Sequence, residues 1–290
     1  MKELTVISGK GGTGKTSITA AFAALAKDAV FADCDVDAAD LHLILKPSIK
    51  KTIKFQGLKI ASIDKNICID CKKCHDSCRF HAIDEDIQLI NESCEGCGVC
   101  AYVCPVDAVT MVDRDSGYAY RSETRFGPMA HAVLHTAEEA SGKLVTVVRN
   151  NASDLAKQHK KNLILIDGPP GIGCPLIASI SGVNLVLIVT EPTLSAIHDL
   201  ERILGVAQHF HIPAVVCIIN KATINPENTS KIEQYCKKNT IPIIGTLPYD
   251  TTITQAMIHE QSIIEFSDGM LSQNVREMWD KTLEVLKENG

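Results

Sequence analysis

The stretch Leu4-Thr5-Val6-Ile7-Ser8-Gly9-Lys10-Gly11-Gly12-Thr13-Gly14-Lys15-Thr16 decides the fold. A short apolar run, the right length for a buried strand, gives way to a glycine-rich turn, and Lys15 to Lys27 then reads as an Ala-rich helix. The turn fits G-x4-G-K-[ST] from Gly9 to Thr16, in the strand-then-helix setting that a phosphate-binding loop requires. Its glycines let successive backbone amides curl around phosphate, Lys15 supplies a point charge to the β and γ oxygens, and the Thr16 hydroxyl is suited to Mg2+. ATP or ADP with Mg2+ is therefore expected on Gly9, Lys10, Gly11, Gly12, Thr13, Gly14, Lys15, Thr16 and Ser17.

Outward from that loop the chain alternates strand and helix. Ala29–Asp33, Leu163–Asp167, Leu185–Thr190, Val215–Asn220 and Ile241–Leu247 read as further buried strands with helical stretches between them. Aromatic residues make up only 4% of the chain while 45% is hydrophobic, which suits a parallel sheet buried on both faces. The fold class is α/β, a doubly wound, mostly parallel sheet with ligands at the carboxyl ends of its strands. A length of 290 residues allows one medium domain and a small second one.

The second domain announces itself in cysteines. Cys68/Cys71/Cys74/Cys78 and Cys94/Cys97/Cys100/Cys104 both read C-x2-C-x2-C-x3-C, each member of one set lying 26 residues from its counterpart. This is a duplicated unit. Two intervening residues turn successive thiolates toward neighbouring corners of one cube, and soft thiolates suit iron. The competing readings are paired zinc sites, which favour separated C-x2-C pairs, and a disulfide knot. The pattern resembles a bacterial-type ferredoxin with two [4Fe-4S] clusters, in which the fourth cysteine of each run serves the other cluster. That resemblance implies Cys68, Cys71, Cys74 and Cys104 on one cluster and Cys94, Cys97, Cys100 and Cys78 on the second. Pro105 follows the second run as in that pattern, whereas Arg79 follows the first. The ferredoxin-like insert is expected over 55–115, flanked by the ATP-binding parts 1–54 and 116–290.

Charge is uneven. Between Asp64 and Asp113 stand ten acidic and four basic side chains, a balance of −6 that equals the formal charge of the whole chain. An acidic insert implies a redox or client protein with a basic docking face and argues against nucleic acid. Acidic side chains that merely keep a small domain soluble explain the balance equally well. Cluster thiolates need a reducing interior, and Met1 to Ser8 runs directly into a strand, so a cytoplasmic protein is expected. No apolar run reaches the roughly 18 residues of a spanning helix, so stable membrane insertion is not expected. Cys34, Cys174, Cys217 and Cys236 are expected as free thiols. His42, His131, His135, His159, His198 and His259 show no metal-ligand grouping.

Lys10 narrows the reading. K-G-G-x-G-K-T, from Lys10 to Thr16, resembles the deviant Walker A loop of the MinD/ParA/Mrp ATPases and the nitrogenase iron protein. The resemblance implies an ATP-dependent homodimer or a heterodimer with a paralogue, in which Lys10 reaches the partner's phosphates. It implies that Asp33-Cys34-Asp35 is switch I, with Asp35 positioning the attacking water and joining the Mg2+ shell. Asp167-Gly168-Pro169-Pro170-Gly171 matches Walker B and switch II, giving Asp167 to Mg2+ beside Thr16 and the Gly168 amide to γ-phosphate sensing. Asn220-Lys221 and Pro248-Tyr249-Asp250 match the adenine site. Lys10, Lys15, Asp35 and Asp167 are thus the expected catalytic residues.

The whole resembles MinD-superfamily ATPases with an inserted ferredoxin, which implies coupling of nucleotide state to electron transfer or partner docking. Because switch I responds to the γ-phosphate, an insert placed after it is suited to that coupling. The stretch from Arg125-Phe126-Gly127-Pro128 through Ser141-Gly142-Lys143-Leu144-Val145 reads as a packing helix and a turn. Cys174 lies seven positions after Asp167, where the nitrogenase iron protein has a cluster ligand. No cysteine between Cys104 and Cys174 supplies a second bridging ligand, so a buried thiol is expected. Two alternatives belong to other classes. A cluster-assembly carrier usually has a C-x2-C pair near its C-terminus, where this chain has isolated Cys217 and Cys236. A MinD-like positioning or regulatory ATPase binds membrane through a basic tail. The apolar stripe Val275, Met278, Trp279, Leu283 and Leu286 backs a face of mixed charge, which suits packing on the protein's own core.

Overall fold

Runs of Val, Ile, Leu and Ala bounded by turns make most of the nine strands in a computed structural model that describes residues 1–135 and 142–289. They are β1 (Lys2–Ser8), β2 (Ala29–Asp33), β3 (Ser48–Ile63), β4 (Val109–Glu123), β5 (Pro128–Leu134), β6 (Leu163–Pro170), β7 (Leu185–Thr190), β8 (Ala214–Ile219) and β9 (Ile243–Thr246). The sheet order is β3-β4-β5-β2-β6-β1-β7-β8-β9. From β5 to β9 every neighbouring pair is parallel. Helices cover both faces of this part, so its strands lie buried on each side. β6 and β7 flank β1, one on each side, so the chain crosses β1 between them and strand order reverses there. The glycine-rich loop leaves the carboxyl end of β1, the place where such a reversal opens a crevice.

The chain divides into two compact units, one built from Met1–Thr52, Ala119–Val133 and residues 142–289, the other from Ile53–Tyr118 with Leu134 and His135. β3 carries the chain out of the first unit and β4 carries it back.

In the first unit, Leu4, Val6, Phe22, Phe31, Leu165 and Leu187 are fully buried in one core. The helix Met270–Glu288 lays Val275, Met278, Trp279 and Leu286 on it, and the Phe22 and Trp279 rings meet at 4.9 Å. The apolar stripe of this last helix is thus packed on the protein's own core.

Two expectations need correction. Pro128–Leu134 is a strand, β5, set parallel to β2 with Phe31 opposite Met129 and Ala32 opposite Ala130. A packing helix and a turn were expected across this stretch, but a buried slot beside β2 makes this part a strand. The helix is described over Gly142–Gln158, and Ser141 lies outside the described residues. β6 also runs past Asp167 to Pro170, because a register shift lets Ser8 pair with Pro170.

In the second unit the 26-residue duplication is written into the backbone. Helices Lys73–Asp76 and Val99–Tyr102 occupy equivalent positions. Left-handed residues also fall in three equivalent pairs: Asp70 and Gly96, Lys72 and Gly98, His81 and Asp107. The halves exchange reciprocal bonds, Asp64 N–H to the Ala108 carbonyl and Ile90 N–H to the Ala82 carbonyl, both 2.8 Å. Each half therefore begins against the other's end. Among the described residues, the buried cluster of this unit consists of Ala61, Cys74, Ile83, Ile87 and Val109, with further apolar residues partly buried around it.

Candidate functional site

Three adjacent strands of the first unit set the site. β1 feeds the loop Gly9–Gly14, β6 delivers Asp167, and β2 delivers Asp33 and then Asp35. Lys15, at the start of the helix Lys15–Leu25, is 6% exposed, with its ammonium 3.0 Å from Asp167 Oδ1 and 3.3 Å from Asp35 Oδ2. The Thr16 hydroxyl donates to Asp167 Oδ2 and the Thr19 hydroxyl to Asp167 Oδ1, both at 2.8 Å.

Burial alone would drive the Lys15 proton off, yet Asp167, Asp35 and Asp33 outweigh it and hold the ammonium above its ordinary range. Asp33 is fully buried, its Oδ2 without a partner, and burial and then Asp167 push its carboxyl well above the carboxylate range. Burial also raises Asp35, with Asp167 adding to it and Lys15 opposing.

A cavity of about 330 Å3 opens above these groups. Of the expected residues, Gly11, Gly12, Gly14, Lys15, Thr16, Ser17, Asp35, Asn220, Pro248 and Asp250 line it. Gly9, Lys10, Thr13, Asp167 and Gly168 are not among its lining residues. Asn220 Nδ2 donates to the Thr13 carbonyl at 2.8 Å, and a Cβ on Gly14, whose φ is +90°, would lie 2.3 Å from that nitrogen. Thr252 donates to Asp250 from its hydroxyl and its amide, and these two bonds hold that carboxyl below its usual range. Sequence reasoning missed Ile253, Thr254 and Met257, which complete the wall from the helix Thr252–Ile258. The i, i+4 apolar spacing of Ile253 and Met257 just after Pro248-Tyr249-Asp250 was the available signal.

An anion fits the glycine loop and its amides. Thr16 and Asp167 offer adjacent oxygens of the kind that Mg2+ takes.

In the second unit, one small cavity is lined by Cys68, Cys71, Cys74 and Cys104, with Ile69, Lys72 and Val106 among its other walls. A second is lined by Cys94, Cys97, Cys100 and Cys78, with Phe80 and Glu95. Each cavity gathers three cysteines of one run and the fourth of the other. The Ala82 amide donates to Cys78 Sγ at 3.3 Å and the Ala108 amide to Cys104 Sγ at 3.2 Å, again equivalent positions. Among the described residues, no three His, Cys, Asp or Glu side chains converge on a single metal ion.

The cysteines outside these sets, Cys34, Cys174, Cys217 and Cys236, are free thiols. Cys174 is exposed at the start of the helix Cys174–Ile180, correcting the expectation of a buried thiol. The turn Gly171-Ile172-Gly173 carries it outward before the helix can pack.

The sequence model of the CobQ/CobB/MinD/ParA nucleotide binding domain matches residues 4–263. The uncharacterized protein MJ0578 of Methanocaldococcus jannaschii is 33% identical over 287 residues, 98% of this chain and 97% of that protein. The septum site-determining protein MinD of Synechocystis sp. is 25% identical over 259 residues, 86% of this chain and 77% of that protein. Among solved structures, Pyrococcus horikoshii MinD complexed with Mg-ADP superposes with a TM-score of 0.61 at 16% identity, covering 100% of this chain and 98% of that one. The last likeness is one of fold. No helix among the described residues is long and apolar enough to cross a membrane.

Proposed function

The chain belongs to the CobQ/CobB/MinD/ParA nucleotide-binding family, and on that premise we propose that it is a Mg-ATP-dependent ATPase that dimerises on ATP and regulates a partner protein. The observation that carries this reading is Lys15, buried between Asp35 and Asp167 and next to Thr16, beneath a glycine loop that opens on a cavity of nucleotide size. Lys15 and the loop amides would hold the phosphates, Thr16 and Asp167 the metal, and Asp35 the attacking water. Asn220, Pro248, Asp250 and the wall from Ile253 to Met257 would hold the base. The Gly168 amide would sense the γ-phosphate, and Lys10 would act on the partner chain's nucleotide. The test is ATP hydrolysis by the parent and Lys15→Ala; equal rates would reject the assignment.

One of the relatives named above, from Synechocystis, is a septum site-determining MinD, and it favours a positioning or regulatory ATPase over a dedicated electron carrier for this nucleotide site. The insert asks for more. The finer proposal is that the second unit binds two [4Fe-4S] clusters, one on Cys68, Cys71, Cys74 and Cys104, the other on Cys94, Cys97, Cys100 and Cys78. Its support is the pair of cavities that gather these two sets across the duplication. Bound there, the clusters would supply one-electron storage, and nucleotide state would govern electron transfer or docking to a protein with a basic face. Anaerobic reconstitution followed by iron and sulfide analysis and EPR, with and without Mg-ATP, tests the proposal. Cys97→Ser should lose about half of the iron, since each set is proposed to hold one of two equal clusters. Iron content that survives this change unaltered would reject the ligand map.

A further inference from the structure

We infer that Glu191 is a positioning residue for Lys10, holding its ammonium within its own chain until the phosphates of a partner chain compete for it. This inference rests on the dimeric ATPase reading proposed above.

The arrangement follows from sheet order. β1, β7 and β8 are consecutive parallel neighbours, so the residues just past their carboxyl ends stand side by side. Lys10 lies two residues beyond β1, Glu191 one beyond β7 and Lys221 two beyond β8, an alternation of positive, negative and positive. Lys10 Nζ is 2.8 Å from Glu191 Oε1, and Lys221 Nζ is 2.9 Å from Glu191 Oε2. Lys221 Nζ also donates to the Gly12 carbonyl at 2.6 Å, which ties the carboxylate to the loop. Burial of Glu191 works to raise its carboxyl, yet its hydrogen bonds from Lys10 and Lys221 prevail and hold it below its usual range.

The two lysines are not equivalent. Lys221 is anchored twice and carries no motif role in trans. Lys10 is 35% exposed against 28% for Lys221, and its ammonium is the one the family motif sends to a partner. When Lys10 leaves, Lys221 still pairs with Glu191, so no bare carboxylate remains at the loop. Release therefore costs little, which suits a contact made to be exchanged. A purely structural pair has no need of that second lysine.

The test measures ATP-dependent dimerisation by analytical ultracentrifugation for the parent, Glu191→Gln, Lys10→Ala and Lys10→Ala/Glu191→Gln. Freed from a partly exposed ion pair, Glu191→Gln should reach half-dimerisation at about three-fold lower ATP concentration. In the Lys10→Ala background the same change should have no effect on dimerisation. Thermal melting in parallel shows that each variant is folded. Equal ATP dependence for parent and Glu191→Gln, or an equal effect of Glu191→Gln with and without Lys10, would overturn the inference alone. A parent chain that stays monomeric at saturating Mg-ATP would overturn it together with the dimeric reading.

Discussion

Lys15 shows how much one buried charge settles. Removing its ammonium leaves Asp33, Asp35 and Asp167 facing one another with no cation among them. Lys15→Ala is expected to lower unfolding free energy by about 3 kcal/mol, measured in urea, as breaking a buried ion pair does. Hydrolysis should fall by about 100-fold or more, since charge stabilisation of the phosphoryl group is lost with it. Gly14→Ala acts by shape instead. Its methyl would demand a left-handed L-residue and displace Asn220 from the Thr13 carbonyl, so ATP affinity measured by calorimetry should drop while far-UV circular dichroism is kept. At this scale the sequence points to a site wherever chemistry restricts the residue type, and of the residues it singles out, Gly11, Gly12, Gly14 to Ser17 and Asp35 come together at one cavity. Ile253 and Met257 were missed because an apolar side chain lining a cavity looks, in sequence, like any core position.

At the scale of elements, the hairpin of β4 and β5 contains a titratable surprise. His131, on β5, is 6% exposed and its Nε2 lies 2.9 Å from the Ser122 hydroxyl on β4. Burial, with a smaller contribution from His42, pushes it down to about 4. An unfolded histidine takes its proton near pH 6.5, so between about 6.5 and about 4 the unfolded chain binds more protons than the folded one. Stability is therefore lost as pH falls through that window. His131→Gln, which does not titrate, should show a shallower decline of Tm from pH 7 to pH 4.5 than the parent. The strands β1, β2, β6, β7, β8 and β9 were readable, over most of their length, from apolar runs, but β5 was not. Its sequence Pro-Met-Ala-His-Ala-Val-Leu has no period that separates strand from helix, and its pairing with β2 exists only once the sheet is built.

At the scale of the whole molecule, the last helix and the small second unit draw different predictions. The apolar stripe of Met270–Glu288 is engaged by the core, so the protein with Mg-ATP is expected not to sediment with anionic vesicles; ATP-dependent sedimentation would contradict this. The unit around Ile53–Tyr118 has a small core cluster, and domains of that size usually rely on a metal or another staple. Chelating the iron from reconstituted protein should raise amide exchange across residues 53–118 and leave β1, β6 and β7 protected.

What the sequence by itself determined was the class of sheet, the phosphate loop, the two cysteine runs and their 26-residue spacing. Local spacing carries that information because a turn around phosphate, or a run of thiolates, is made by neighbours in the chain. Only the tertiary structure decided where β5 pairs and that Glu191 holds Lys10. Those outcomes join residues from separate parts of the chain, and such contacts are chosen by the sheet order that brings their backbones together.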